Sequence, residues 1–77
     1  MTFWVLAITD YTGERVNEVT AVLFNESLIE PKLAELFAED QDIRSIKVET
    51  WFRELNGDDA SFYDYEVYCR DDMNDMR

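Results

Sequence analysis

Two runs of alternating side chains, residues 43–53 and 61–70, flank the dipeptide Asn56-Gly57, and nothing else in the chain restricts its fold as tightly. Asn-Gly supplies the positive φ angles that a two-residue hairpin turn needs, so the runs are expected to pair as antiparallel strands. A turn at Asn56-Gly57 puts Leu55 opposite Asp58, Ile46 opposite Val67, Val48 opposite Tyr65 and Thr50 opposite Tyr63. Ile46, Val48, Thr50 and Phe52 then share one face with Tyr63, Tyr65, Val67 and Cys69, so turn chemistry and alternation give one register.

A second hairpin is expected nearer the N-terminus. Phe3 to Thr9 is rich in β-branched and aromatic residues and is bounded by Asp10 and Gly13, while Val16 to Phe24 alternates in part. A two-residue turn at Thr12-Gly13 sets Leu6 opposite Val19 and Trp4 opposite Ala21, with Ala7 facing Glu18 and Val5 facing Thr20. One face then reads Trp4, Leu6, Ile8, Val19, Ala21, Leu23, and the other Phe3, Val5, Glu18, Thr20, Val22, Phe24. A slip of one residue moves Glu18 toward the core, which favours this register.

Between the hairpins, Ile29, Leu33, Leu36 and Phe37 follow i, i+4, i+7, i+8, a single apolar helical stripe. Ser27 to Glu30 has capping-box spacing, and Pro31 is tolerated only in the first turn, so the helix is expected to begin between Ser27 and Pro31. The order is therefore ββαββ: an α+β fold, a four-stranded mainly antiparallel sheet with one helix packed on one face. Residues 1–70 form one domain in this reading and 71–77 an acidic tail. The order of the two hairpins in the sheet is left open by these arguments.

Composition narrows the function. The chain has 77 residues, 18 Asp and Glu against 7 Lys and Arg, a formal net charge of −11, no His and one Cys. Low-hydrophobicity acidic chains are often disordered, but 47% apolar and 14% aromatic residues are enough for a core. One cysteine forms no internal disulfide, and a chain without His excludes the Ser-His-Asp and Cys-His catalytic arrangements and the usual zinc sites. The charge repels phosphate backbones and anionic lipid, so neither nucleic acid nor membrane is an expected direct partner. The longest apolar run, Phe3 to Ile8, is far too short to span a bilayer. Met1-Thr2-Phe3 lacks the basic segment of a signal peptide, so none is expected.

Several charges stand where stability alone would not put them. Glu35, Glu39, Asp40 and Asp42 crowd the helix C-terminus, where the macrodipole favours cations and each acid costs about 0.3–1 kcal/mol at low salt. In the expected register Glu49 faces Asp64, a like-charge pair, and Lys47 faces Glu66. Glu54, Asp58, Asp59, Asp64, Glu66, Asp71, Asp72 and Asp75 are accompanied between 54 and 75 by Arg70 alone. Glu49 with these acids up to Asp72 forms the candidate partner-binding set. A second, aromatic set, Trp51, Phe62 and Tyr68, falls on the sheet face away from the helix together with Phe3 and Phe24. A contiguous apolar patch there suits a dimer or partner interface.

Enzymatic chemistry is not expected. Glu49 and Asp64 are the one candidate acid–base pair, on a solvated face without a cleft. Cys69 is expected on the inner face as a small hydrophobe. Asn56-Gly57-Asp58-Asp59 lacks EF-hand spacing, and no phosphate-binding or dinucleotide motif is present, so no cofactor or metal is expected.

In size, charge, one-helix α+β layout and the acid cluster from Glu54 to Asp75, the chain resembles the small acidic inhibitors that phages use against host defence, the anti-CRISPR and anti-restriction proteins. The resemblance implies a protein acting in the cytoplasm of an infected bacterium, with a nuclease or surveillance complex as target. The expected function is that of an inhibitor occupying a basic nucleic-acid-binding surface by DNA mimicry. Two alternatives use the same features: an immunity or antitoxin protein against a basic nuclease toxin, and a homodimeric adaptor module.

Overall fold

A computed structural model describes residues 1–53 and 60–71, with residues 60–63 described by their backbone. The chain forms β1 (Thr2–Asp10), β2 (Glu18–Leu23), a 3₁₀ turn (Glu26–Leu28), helix α1 (Ile29–Glu39), β3 (Ile43–Arg53) and β4 (Ala60–Cys69). The four strands make one antiparallel sheet in the order β2-β1-β3-β4, the ββαββ fold expected from the sequence. The two strands with most fully buried residues, β1 and β3, take the centre, and the two more exposed strands take the edges.

The helix stripe behaves as its spacing predicts. Leu33 and Phe37 are buried against Leu6, Ile8, Ile43, Ile46 and Val48, and Ile29, Leu36, Trp4, Ala21, Leu23 and Tyr68 pack around that core. Helix entry falls within the expected window, but the cap is different. Asn25 Oδ1, rather than Ser27, accepts from the Ser27 amide at 3.0 Å and the Ser27 hydroxyl at 2.8 Å. Pro31 is the third residue of α1, where a missing N–H removes no intrahelical bond.

The first hairpin departs from the expected register. Its connection is not a two-residue turn but a loop from Tyr11 to Asn17 organised by Asp10, which is 5% exposed. The Asp10 carboxylate accepts from the Thr12 hydroxyl (2.8 Å) and from the amides of Gly13 (2.9 Å) and Arg15 (3.3 Å). Gly13 sits at φ +78°, the left-handed region its missing Cβ permits. Leu6 pairs with Ala21 and Ala7 with Val19, so Thr20 is an extra residue in β2, a β-bulge. Trp4 faces Leu23 and Val5 faces Val22. Val19, expected in the core, is 59% exposed. Glu18 comes opposite Ile8 but stays at the exposed edge, 2.8 Å from Arg15.

The second hairpin departs in the same way. Trp51 faces Phe62, as expected, but Thr50 faces Asp64, so Tyr63 is an extra residue and everything beyond it is displaced by one. Ile46 meets Tyr68, Val48 meets Glu66, Lys47 meets Val67 and Glu49 meets Tyr65. The like-charge Glu49–Asp64 pair and the Lys47–Glu66 pair therefore do not form. Because side chains alternate with period two, a single bulge exchanges the two faces of a strand. Tyr65, Val67 and Cys69 lie on the outer face of the sheet, and Asp64, Glu66 and Tyr68 on the helix side. Cys69, expected inside, is exposed. Among the described residues no helix is long and apolar enough to cross a membrane.

Candidate functional site

The bulge in β4 gives the helix side of the molecule an acidic groove. A cleft of about 170 Å³ opens between the 3₁₀ turn and the β3–β4 half of the sheet, and its walls include Trp4, Glu26, Ile29, Asp64, Glu66 and Tyr68. A second depression continues it along Glu26, Ser27, Ile29, Glu30, Pro31 and Tyr68. Four carboxylates, Glu26, Glu30, Asp64 and Glu66, thus gather from three elements, the 3₁₀ turn, α1 and β4, about the side chains of Trp4 and Tyr68. The Tyr68 hydroxyl donates to Glu66 Oε2. That bond, with burial and the neighbouring charges of Glu66 and Glu30, pushes the Tyr68 phenol up to about 12, so at neutral pH Tyr68 stays a donor that fixes the Glu66 carboxylate.

The cations lie elsewhere. Arg15 binds Glu18 at 2.8 Å and Asp40 at 2.6 Å. Lys32 stands 3.6 Å from Glu35, and Lys47 is 2.7 Å from Glu49. Arg70 closes the C-terminal end of α1, donating to the carbonyl oxygens of Ile43 (2.8 Å), Phe37 (3.1 Å) and Asp40 (2.5 Å) while its guanidinium lies 5.2 Å from the Phe37 ring centre. Arg15 thereby answers Asp40, and Arg70 places a cation at the carbonyl end of α1, where the helix dipole favours one. The Arg15 hydrogen bond to Asp40, with the Asp42 amide, holds the Asp40 carboxyl below the usual range despite partial burial. Among the described residues, no cation stands within ion-pair distance of Glu26, Glu30, Asp64 or Glu66.

The outer face of the sheet differs in kind. Phe3 stacks on Trp51 (centroids 6.5 Å apart, planes at 12°) and meets Phe24 at 6.3 Å. Beside them lie Val5 and Val22 and, across the sheet, Tyr65 and Val67. Lys47 sits 5.1 Å from the Tyr65 ring centre. Glu49 accepts from Lys47 and from the Trp51 indole (3.1 Å), and the Lys47 bond holds its carboxyl below the ordinary value against the cost of partial burial.

Of the candidate acids, the structure brings Asp64 and Glu66 together and places Glu49 on the opposite face. Asp71 is exposed beyond the end of β4. Glu54, Asp58, Asp59 and Asp72, like the Asn56-Gly57 turn, lie outside the described residues. Of the aromatic candidates, Trp51 is on the outer face and Phe62 pairs with it through the backbone. Tyr68, expected beside them, packs on the helix side because of the bulge. Sequence reasoning missed Glu26 and Glu30, whose signal was present: acids at the start of a helix whose dipole favours them. Among the described residues no three metal-ligating side chains converge. Compared with known protein families, curated proteins and solved structures, the chain shows no match.

Proposed function

We propose that this protein is an acidic inhibitor that docks its helix-side groove onto the basic nucleic-acid-binding surface of another protein, such as a nuclease or defence complex. The observation that carries the reading is the separation of charge: the described cations with ion-pair partners are spent on Glu18, Asp40, Glu35 and Glu49, and Arg70 on helix-end carbonyls, while Glu26, Glu30, Asp64 and Glu66 keep none. Asp64 and Glu66 are two residues apart on one face of a strand, about 6.6 Å. Carboxylates so spaced on a rigid frame give the target's Arg and Lys side chains an array like that of phosphates. Trp4 and Tyr68 add aromatic surface on which a guanidinium or ammonium group can rest.

Such a contact forms fast and weakens with salt, since long-range attraction drives the encounter. The test is capture from a bacterial lysate on the immobilised protein, beside a variant carrying Glu26→Gln, Glu30→Gln, Asp64→Asn and Glu66→Gln. The reading expects a nucleic-acid-binding protein retained by the wild type, released by duplex DNA and lost from the variant. Equal retention on both, or retention that DNA does not disturb, refutes it.

A further inference from the structure

The acidic groove leaves the opposite side of the sheet unused. On that side Phe24 is 63% exposed, Tyr65 53% and Val67 51%, with Val22 exposed as well. Isolated exposed apolar residues are ordinary, but a contiguous face of them marks an interaction surface. The question is what kind of partner fits it.

Charge decides. The outer face carries Lys47 and Glu49, joined at 2.7 Å, and Arg53 beside Phe3, Val22 and Phe24. Its described charges, Lys47, Glu49 and Arg53, carry no anionic excess, in a chain of formal charge −11. A basic protein finds the carboxylate of this face already paired. A second copy brings the same paired charges and apolar surface and keeps its acidic groove pointing away, so that the repulsion between two chains of like charge acts at a distance and is screened by salt.

Area agrees. Four strands spaced about 4.8 Å apart, with about nine residues rising 3.4 Å each, present a face on the order of 600 Å². Two such faces reach the lower bound of specific interfaces, about 1,200 Å² in total.

We propose that the protein forms a two-fold symmetric dimer through the outer face of its sheet, with Phe24, Val22, Tyr65 and Val67 at the contact and one acidic groove exposed on each side. A two-fold contact uses the same patch on both subunits, so it closes at two copies. Dimerisation strengthens with added salt, because salt screens the repulsion between two acidic chains while apolar contact holds them.

Sedimentation equilibrium over a concentration series, at low and at high salt, tests this independently of any target. The wild type is expected to pass from 9.2 kDa toward twice that mass, at lower concentration when salt is added. Phe24→Glu and Val67→Glu are each expected to weaken association at least about tenfold. Circular dichroism checks that both variants fold, and Val67→Glu, far from the core, carries the test should Phe24→Glu unfold. A single 9.2 kDa species at every concentration and salt overturns the proposal. So does self-association that both variants retain or that salt weakens.

Discussion

The two faces of one sheet are built from the same four strands and present opposite chemistry. On the helix side, Glu26, Glu30, Asp64 and Glu66 ring Trp4 and Tyr68 with no cation among the described residues to answer them. On the outer side, Phe3 stacks on Trp51 and meets Phe24 at a tilt, beside the Lys47–Glu49 ion pair. The difference teaches that net charge is a poor description of this surface. What matters is where the cations are spent: Arg15 and Arg70 at the helix end, Lys32 on Glu35 along the helix, and Lys47 on Glu49 of the outer face.

The largest effect expected from breaking this contrast is on the acidic side. Neutralising Glu26, Glu30, Asp64 and Glu66 together should weaken binding to the captured target by at least about a hundredfold, each lost charge-assisted contact being worth about 1.5–3 kcal/mol where buried by the partner. The fold should lose almost nothing, since these side chains are exposed. Isothermal titration paired with urea denaturation separates the two effects, and an equal loss of stability would mean that the acids serve the fold.

Arg70→Ala should do the reverse. It removes the guanidinium donor shared by the carbonyls of Phe37, Asp40 and Ile43 and the cation at the helix end, an expected loss of about 2–3 kcal/mol in urea denaturation. A change within about 0.5 kcal/mol would show that water replaces the guanidinium without penalty.

Acid sharpens the contrast further. Asp10, Asp40 and Glu49 have carboxyls held below their ordinary values, Asp10 because the Thr12 hydroxyl, the Arg15 and Gly13 amides and the Arg15 charge outweigh its burial. A carboxylate with a lowered folded-state pKa contributes stability that is fully present above its unfolded value and is lost as pH falls through the folded one. The urea midpoint should therefore hold near neutrality and fall as pH drops below the ordinary carboxylate range. Asp40→Asn should flatten that fall, and an unchanged acid limb would remove Asp40 as a cause.

The smallest effect concerns Tyr68. Its raised pKa means that the neutral phenol is favoured by folding, so its contribution is fully present below about 10 and disappears as pH rises through about 12. Tyr68→Phe should cost less than about 1 kcal/mol and leave the fold intact. Ultraviolet titration of wild type against Tyr68→Phe should show one tyrosine ionising late, and its absence from that late step would contradict the Tyr68–Glu66 contact.

Part of this was legible in the sequence. The helix stripe Ile29, Leu33, Leu36, Phe37 depends only on 3.6-residue spacing, and it packs as read. Trp51 opposite Phe62 also stands. In the second hairpin one inserted residue, Tyr63, moved the register; in the first the Tyr11–Asn17 loop moved it by one and the bulge at Thr20 by one more, which returns Ala21 and Leu23 to the core side. Alternation is unbroken on either side of a bulge, so period-two patterning is blind to it. In β4 both sets, Tyr65-Val67-Cys69 and Asp64-Glu66-Tyr68, are amphipathic enough to face either way on an edge strand. The choice is made by Tyr68, whose ring packs on the core while its hydroxyl reaches Glu66. The Tyr11–Asn17 loop was hidden for a related reason: the buried Asp10 builds a turn from Thr12, Gly13 and Arg15 that no adjacent pair of residues announces.

The most direct test maps where a cation lands. Titrating an oligoarginine peptide into the ¹⁵N-labelled protein at low salt should shift the backbone amides of Glu26, Ile29, Glu30 and Asp64 through Tyr68, and leave Val5, Val22 and Lys47 where they are. Shifts spread evenly over both faces of the sheet, or concentrated on the outer one, would contradict the account.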